Sequence, residues 1–397
     1  MKQCGFLCIC CEFKGIEFMR AIAELGHRVY LVTGENHRDD DWPRDILADI
    51  FFMPGDDGRL WDIDTLKQGT AGLMRHTRID RIIALDDYDV RKAAYLREEF
   101  RFPGMGQTTA RHFYDKLAMR IQAQDAGIPV PGFTNLFNDD DINAFLQKSQ
   151  GPWFVKPRSD AGAHGIRKIE SAEHFWEHVQ SLGNDRHRYL MEEYKPGAVY
   201  HVDSLSFDGQ IRFSRTSQYL DPPFNVAHGG GIFQSHTISL NAAEAKAIQD
   251  VNQRVLTAFG MRHGASHSEF IISDGQVYFL ETSARVGGAH LSDMVEAASG
   301  INLWREWAKI EHALLTQQPY SVPEAEALHA GIVASLSRFE QTDYAQFHDP
   351  EIWWTMPKRH HVGFIFRHPD RERILQLLGQ YAGIIQQEYH AAVPLKE

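Results

Sequence analysis

Short apolar runs alternate with helical patterns over residues 4–105, and this alternation constrains the fold more than any other feature of the sequence. The runs that read as buried strands are Phe6–Cys11, Val29–Thr33 and Ile79–Leu85. Helical patterns occupy Gly15–Leu25 and Val90–Phe100. A strand–helix–strand order predicts a small parallel sheet with helices on its faces, and therefore the α/β class.

Several motifs that identify common nucleotide-binding and hydrolytic enzymes are absent. None of the predicted strands is followed by a G-x-G-x-x-G or G-x-x-x-x-G-K-[ST] pattern. The G-x-S-x-G and H-E-x-x-H patterns are also missing from the sequence. We therefore expect neither a dinucleotide-dependent redox enzyme nor a P-loop nucleotide hydrolase.

The length of 397 residues and the net charge of −12 limit the class of protein. A chain of this length exceeds one hydrophobic core and predicts two or three domains. No basic stripe stands out that could neutralise nucleic-acid phosphates, so we expect no nucleic-acid partner. Any anionic ligand must then be bound by local positive groups.

The four cysteines all lie between Cys4 and Cys11. They fall in or beside the apolar first strand, and no second pair exists to complete a zinc site, so we expect small buried side chains. No signal peptide stands out, and no stretch of about twenty apolar residues could span a membrane. We therefore expect a reducing, cytoplasmic setting and no membrane partner.

The stretch HSEFIISDGQVYFLETSARVGGAH, residues 267–290, predicts a β-hairpin with a glutamate in each strand. If Asp274 and Gly275 alone form the turn, Glu269 and Glu281 fall on opposite faces, because side chains alternate along a strand. If Ser273 also belongs to the loop, as in a type I turn followed by a bulge, the two carboxylates share one face. Carboxylates that share a face repel unless a cation lies between them, and Mg²⁺ on a nucleotide's phosphates is such a cation.

The stretch TTARHFYDKLAMRIQAQDAGIPVPGF predicts one helix over residues 110–126. Thr108 or Thr109 would cap its start, and Gly127 would end it in the left-handed conformation. Lys116 would then lie in the middle of this helix.

Two further stretches place charged side chains on strands. WFVKPRSDAGAHGIRKI predicts a strand that carries Lys156, then a loop of small residues, then a second strand. A lysine beside such a loop offers a phosphate one point charge and several backbone N–H groups. RYLMEEYKPGAVYHVDSL predicts a strand that ends in Glu-Glu-Tyr and is followed by a turn at Pro196 and Gly197.

The order of these motifs resembles the ATP-grasp superfamily. The chain has Asp-Lys before A-G-I-P-V-P, V-K-P before a loop of small residues, M-E-E-Y with a turn, and a glutamate followed by L-E-x-x-x-R-x-G-G. Within that superfamily the pattern is similar to the carboxylate–amine ligases, including those that join two amino acids. The resemblance covers residues 108–305, and the start of the chain is similar to the domain that precedes an ATP-grasp module.

The resemblance implies a role for each matching residue. Two lysines would contact the ATP phosphates, a loop would close over them, a hinge would read adenine, and three oxygen ligands would hold Mg²⁺, with two ions expected. Arg285 would steady the transferred phosphoryl group or the acyl intermediate. The implied residues are Lys116 and Lys156 for the phosphates; Ser159, Gly162, Ala163, His164 and Gly165 for the loop; Glu192, Glu193 and Tyr194 for the hinge; and Glu269, Glu281 and Ser283 for the metal.

Three positions depart from the pattern of the superfamily. Val199 stands where many relatives have a glutamate that binds the ribose, so the ribose contact must come from elsewhere. Ser283 replaces the asparagine that usually completes the metal site, and a hydroxyl or a water would have to serve. His164 is unusual in the phosphate loop; it is either a phosphate contact when protonated or an exposed histidine without a special role.

Candidates for the substrate pocket lie outside the matching motifs or at their edge. The stretch YLDPPFNVAHGGGIF, residues 219–233, is either a mobile loop near the site or a plain long connection. The stretch ALDDYDV follows a predicted strand, and ligands bind beyond the carboxyl ends of parallel strands. We expect structural roles for His263 and His267. The candidate substrate residues are Tyr88, Asp89, Tyr219, His228, Gly230, Gly287 and Gly288.

The sequence thus predicts an ATP-grasp ligase that uses ATP and Mg²⁺. The expected reaction joins a carboxylate to an amine, both from amino acids, through an acyl phosphate, with release of ADP and phosphate. A carboxylase of the same fold and a nucleotide-binding regulatory protein without turnover are the alternatives. The expected parts are an N-terminal α/β domain (1–107), a central part (108–205) with a lid over 150–205, and a C-terminal part (206–397) with an α+β extension from residue 320. A homodimer is also considered.

Overall fold

The N-terminal part of the chain forms a parallel sheet, as the alternation of strands and helices predicts. A computed structural model describes residues 3–55, 57, 60–162 and 164–391. The strand order is β3-β2-β1-β4, and every neighbouring pair is parallel. The strands are β1 (Gly5–Ile9), β2 (Arg28–Gly34), β3 (Leu47–Met53) and β4 (Arg81–Ala84), and the helices are α1 (Ile16–Glu24), α2 (Ile63–Met74) and α3 (Asp87–Phe100).

The helix predicted over residues 110–126 is wrong in its first half, because the structure has two shorter helices here. These are α4 (Gln107–Arg111) and α5 (Lys116–Asp125). Asp115 has an extended backbone, and its side chain accepts hydrogen bonds from the backbone N–H groups of Leu117 and Ala118. A side chain that caps a new helix in this way competes with continuation of the old one. Lys116 is therefore the first residue of a helix, next to its positive end.

A small antiparallel sheet follows α5, with the strand order β5-β8-β6-β7. Two helices pack against it around a core that includes Ile142, Trp153 and Phe175. Lys156 lies on β6, as the sequence predicts. The strands are β5 (Phe133–Asn135), β6 (Trp153–Pro157), β7 (Arg167–Ile169) and β8 (Tyr189–Glu193), and the helices are α6 (Asp139–Lys148) and α7 (Ala172–Leu182).

The rest of the chain forms one eight-stranded antiparallel sheet, with the order β13-β12-β9-β10-β11-β14-β16-β15. Its strands are β9 (Ala198–Phe207), β10 (Gln210–Tyr219), β11 (Phe233–Thr237), β12 (Gly264–Ser273), β13 (Gln276–Ser283), β14 (His329–Leu336), β15 (Ile352–Thr355) and β16 (His361–His368). Its helices are α8 (Pro223–Gly229), α9 (Ala243–Ala258), α10 (Leu291–Ser299), α11 (Leu303–Thr316) and α12 (Arg371–Ile384). The three C-terminal strands thus extend the same sheet, and β9 runs across residue 205. None of the helices in the described ranges is long and apolar enough to cross a membrane.

The hairpin of β12 and β13 places the two glutamates on one face, although its turn is the two-residue alternative that was expected to separate them. Ser273 pairs with Gln276, so the turn has two residues, and both Asp274 (φ 50) and Gly275 (φ 75) lie in the left-handed region. These angles are those of a type I′ turn. The register then shifts by one residue between Glu269 and Phe270, and this bulge brings Glu269 opposite Glu281. The three-residue alternative for the loop is therefore wrong, but the shared face that it implied is present, because the extra residue lies in the strand.

Candidate active site

A cleft of about 1560 Å³ opens where the three sheets meet. The first turn of α3, which follows β4, contributes to one wall, and strands β6 and β8 of the small sheet contribute to another. One face of β10, β12 and β13 in the large sheet forms the floor. The predicted site residues that line it are Tyr88, Lys116, Lys156, Ser159, Gly162, Glu192, Glu193, Tyr194, Tyr219, Glu269, Glu281, Ser283, Arg285 and Gly288.

Glu269 and Glu281 lie directly opposite each other on β12 and β13, and both carboxylates line the cleft. The Tyr219 hydroxyl donates a hydrogen bond to Glu269 Oε1 at 2.9 Å. His267 Nε2 lies 3.6 Å from the same oxygen, which is an ion-pair distance. On the other strand, Glu281 Oε2 is 2.9 Å from Lys116 Nζ. Each carboxylate thus has its own cationic neighbour, which offsets the repulsion between the two.

The ionisation of Glu269 is set by His267, which lies beside it. Burial would raise the pKa of Glu269, but the hydrogen-bonding and charge effects of His267 outweigh it, so that pKa lies below its usual value. Burial lowers the pKa of His267, but the charge of Asp203 and a hydrogen bond to it raise that pKa to about 9. At neutral pH the floor of the cleft therefore holds an imidazolium between two carboxylates.

Lys116 connects α5 to the loop between β6 and β7. Its ammonium donates a hydrogen bond to the carbonyl of Asp160 in that loop, in addition to its ion pair with Glu281. Burial disfavours the charged amine, but Glu281 more than compensates and raises the pKa of Lys116. The Tyr88 hydroxyl donates to Asp160 Oδ1 at 2.9 Å. The loop is thus tied both to the N-terminal part and to the large sheet.

Lys156 shares a buried carboxylate with a second cation. Its Nζ is 2.7 Å from Glu192 Oε2, and Arg120 Nη2 is 2.7 Å from Glu192 Oε1. Burial would raise the pKa of Glu192, but Arg120 and Lys156 lower it below its usual value. The side chain of Glu192 is therefore occupied by two cations and does not contact adenine. The backbone of the hinge remains the predicted adenine contact.

Arg285 forms an ion pair with Asp87, the first residue of α3. Its Nε donates to Asp87 Oδ2 at 2.8 Å, and its Nη2 contacts the same oxygen. The Ser283 hydroxyl donates to the other oxygen of Asp87. Burial would raise the pKa of Asp87, but Arg285 and this hydrogen bond lower it to about 2. In this arrangement the hydroxyl of Ser283 is engaged by a carboxylate of the N-terminal part, which does not favour it as a metal ligand.

Six of the predicted residues that the structure describes lie outside the lining of the cleft, for identifiable reasons. Asp89 is fully buried, where it accepts a hydrogen bond from the Cys11 N–H and forms an ion pair with Lys92. The ring of His228 stacks on Phe224 and contacts the carbonyl of Ile166. The others are His164 and Gly165, which are exposed, Gly230, which ends α8 in the left-handed conformation, and Gly287, which packs closely against Asp203 and His267. The candidate substrate roles of Asp89, His228 and Gly230 are therefore not supported, and Ala163 lies outside the described residues.

Residues 219–233 contain the short helix α8 at their centre, where the sequence indicated a loop or a plain connection. Pro223 is the first residue of this helix, and Gly230 (φ 62) follows its last one. Proline at the start and glycine just past the end are helix signals that the sequence does contain. Phe224 and Asn225 of α8 line the cleft.

Sequence reasoning missed several residues of the site. His267 lines the cleft beside Glu269, where a purely structural role was expected. His201 and Asp203 lie beneath it on β9, and both are fully buried. Their signal was present, because H-x-D on one strand and H-x-E on its neighbour place four polar side chains on one face. Asp87 was missed because its partner Arg285 is 198 residues away.

Comparisons with known proteins find amino acid ligases both by sequence and by structure, although no family model matches the chain. An L-arginine-specific L-amino acid ligase of Bacillus subtilis is 28% identical over 251 residues, which are 61% of this chain and 60% of the relative. The crystal structure of an L-amino acid ligase from Bacillus licheniformis has a TM-score of 0.77 at 18% identity and covers 98% of this chain and 99% of its own. A carboxyaminoimidazole synthetase from Staphylococcus aureus, solved with ADP, has a TM-score of 0.70 at 14% identity and covers 96% and 98%.

These relationships agree with the motifs and the geometry described above. The match to the Bacillus subtilis relative spans less than two thirds of that protein, while the structural matches extend over nearly the whole chain. The cleft carries the lysines, carboxylates and arginine on which the sequence resemblance rests. The chain has the fold of the ATP-grasp ligases and is related in sequence to their amino acid ligases.

Proposed function

We propose that this protein is an ATP-dependent ligase that joins the carboxylate of one amino acid to the amine of another. The observation that carries the proposal is the convergence of Lys116, Lys156, Glu269, Glu281 and Arg285 in one cleft. A carboxylate is a poor electrophile, and a phosphoryl group from ATP would convert it into an acyl phosphate. A carboxylate oxygen attacks the terminal phosphorus, the bond to ADP breaks, and the amine then displaces phosphate from the acyl carbon with loss of a proton.

The work of the protein in such a reaction is positioning and neutralisation of charge. Lys156 and Lys116 would bind the phosphates, and each is held in the cleft by the carboxylate that it contacts. Arg285 would stabilise the charge that develops on the transferred phosphoryl group and on the acyl oxygen. Removing one such preorganised donor typically costs about 3 kcal/mol, or about a hundredfold in rate.

The donor set fits a magnesium nucleotide. Two carboxylates on neighbouring strands, one at each side of the hairpin, are the oxygen ligands that Mg²⁺ prefers together with phosphate oxygens. Glu269 and Glu281 would hold the ion, which would neutralise phosphate charge. The side chain of Val199 is apolar and almost fully buried, so this side chain offers the ribose no hydrogen bond.

The cleft also supports a choice of first substrates. Its N-terminal wall carries more acidic than basic side chains, and a cationic amino acid would be attracted to it. The acidic side chains of this wall are Glu12, Asp40, Asp41, Asp57, Asp86 and Asp87, and the basic ones are Lys14 and Arg91. The Bacillus subtilis relative is named for its specificity for L-arginine. Arginine and lysine are therefore the amino acids to test first.

The test is phosphate release by the purified protein from ATP and Mg²⁺, with all twenty amino acids supplied singly and in pairs. We expect release that requires a particular pair, together with a dipeptide detected by mass spectrometry. The Lys156→Gln variant should lose this activity, whereas Lys246→Gln, which removes an exposed lysine of α9, should retain it. Release that depends on bicarbonate would favour the carboxylase. No release with any pair, although ATP binds, would refute the ligase reading.

A further inference from the structure

A connected block of polar side chains on β9 and β12 lies beneath Glu269 and Glu281, the two carboxylates that would hold the metal ion. The strand register places His267 opposite Asp203, and Glu269 opposite His201. Asp203 Oδ1 accepts from His267 Nδ1 at 2.9 Å, and Asp203 Oδ2 accepts from His201 Nδ1 at 3.0 Å. His201 Nε2 is 2.8 Å from the hydroxyl of Ser235, which also donates to the carbonyl of Gln218 at 3.1 Å. Both oxygens of Asp203 are thus used within the block.

These contacts fix the orientation of His267. Its Nδ1 is directed to Asp203, so its Nε2 is directed to Glu269, 3.6 Å away. The ring of His201 packs against the ring of Tyr219, with 4.7 Å between the ring centroids. The hydroxyl of Tyr219 in turn donates a hydrogen bond to Glu269. Both neighbours of Glu269 therefore depend on residues of this block. Each contacts the same oxygen, Oε1, which restricts the rotation of the carboxylate.

The block also supports the loop that carries Arg285. A Cβ atom added at Gly287 would lie 2.5 Å from Asp203 Oδ1 and 2.9 Å from His267 Nδ1. The backbone of this loop thus rests directly on the Asp203–His267 hydrogen bond, which only glycine permits. A Cβ at the adjacent Gly288 would meet no atom within 4 Å. This close approach explains why Gly287 is a glycine: it lets the loop of Arg285 pack against Asp203 and His267, and it assigns Gly287 no role in the substrate pocket.

We propose that the Asp203–His267 pair is a positioning device for the proposed ligase site, because it orients Glu269 towards the divalent cation and seats the loop of Arg285. The proposal rests on the proposed function for the identity of the cation. Neither residue takes part in the chemistry. Outer-shell partners of metal ligands typically change metal affinity by about tenfold to a hundredfold when they are mutated.

Two alternatives for the block lead to different results. The ligand atoms of His201, Asp203 and His267 lie close enough together to hold a metal ion themselves. In that case a transition metal should bind without any nucleotide, and its binding should be lost in His201→Gln. If the block were only a part of the core, its variants should lower the melting temperature and leave metal binding in the nucleotide complex unchanged.

The experiment measures Mn²⁺ binding by electron paramagnetic resonance in the presence of a non-hydrolysable ATP analogue, and nucleotide binding in the presence of a chelator. His267→Gln and Gly287→Ala should each weaken Mn²⁺ binding at least tenfold and change metal-free nucleotide affinity less than twofold. The controls are His263→Gln, which removes a histidine of the same segment that lies outside the cleft, and Gly379→Ala, at a glycine of α12 outside the cleft where an added Cβ would meet no atom within 4 Å. We expect Mn²⁺ binding to be unchanged in both controls.

The outcomes separate the two proposals. Mn²⁺ affinity within twofold of wild type in folded His267→Gln and Gly287→Ala would overturn the positioning role and leave the proposed ligase untouched. Nucleotide-independent metal binding that His201→Gln abolishes would overturn it in favour of a separate metal site. Absence of nucleotide-dependent Mn²⁺ binding in the wild-type protein would overturn both proposals.

Discussion

Glu192 is expected to be one of the most important charged residues for stability, because it compensates the fully buried Arg120 and the partly buried Lys156. Arg120 has no exposed surface, and its Nε and Nη1 have no hydrogen-bond partner among the described residues. Its 2.7 Å contact with Glu192 has the separation of an ion pair, although its angle is not that of a hydrogen bond. Removing one partner of a buried ion pair typically costs 3–5 kcal/mol, roughly, since the other charge is left in a low dielectric.

The adjacent glutamate provides a matched control. Glu193 pairs with Lys195 at 2.9 Å, but both side chains are more than a quarter exposed. An ion pair that water reaches contributes about 0–1 kcal/mol. We therefore expect Glu192→Gln to lower the free energy of unfolding by about 3 kcal/mol or more, and Glu193→Gln by less than about 1 kcal/mol.

Chemical denaturation at pH 7, followed with hydrogen exchange of the amides in β6 and β8, measures both effects. The pKa of Glu192 is below its usual value in the folded protein, so its contribution is present above the unfolded pKa and is lost as pH falls through the folded one. The difference between wild type and Glu192→Gln should therefore shrink below pH 4.5, the ordinary value for a glutamate. Equal destabilisation by the two substitutions at pH 7 would refute the reasoning, because burial would then have no effect on the pair.

Three further outcomes are expected. Arg285→Ala should lower turnover about a hundredfold with little change in ATP affinity by calorimetry, and equal losses in both would contradict its role in the transition state. Asp115→Ala should lower the free energy of unfolding by at least about 1 kcal/mol, because it removes the helix cap and the ion pair with Arg158. The control Asp125→Ala, at the exposed end of the same helix, should leave the free energy of unfolding unchanged. Burial lowers the pKa of His236 to about 4, so unfolding experiments should show stability lost from pH 6.5 towards pH 4, by an amount on the order of 3 kcal/mol, and a flatter profile for His236→Gln would confirm the source.

The sequence predicts the site well where local pattern and chemistry coincide. Lys156 can be assigned to a strand from its apolar neighbours, and the resemblance then supplies a role that the geometry of the cleft supports. The parallel sheet is similarly evident, since buried strands alternate with helices. By contrast, β3 was missed because it is an edge strand in which Asp49 interrupts the apolar pattern and only Met53 is buried.

Contacts between distant segments could not be predicted from a single chain. Asp87 begins α3 and Arg285 lies in the loop after β13, and no local pattern relates them. His267 could be seen in the sequence, but its importance depends on Asp203, which lies 64 residues away on the neighbouring strand. A histidine is assigned a structural role by default until the carboxylate that orients it is known.

The hairpin shows how two carboxylates can share a face although the turn between their strands has only two residues. Alternation along an ideal strand puts Glu269 and Glu281 on opposite faces once the turn has two residues. The extra residue, Leu280, lies between Phe279, which pairs with Phe270, and Glu281, which pairs with Glu269, so the strand changes phase just before the carboxylate. The spacing of the two ligands is then set next to the cleft and not at the distant turn. Substitutions at Asp274 that keep the turn should therefore leave the site intact, whereas a change of register at Leu280 should separate the two carboxylates.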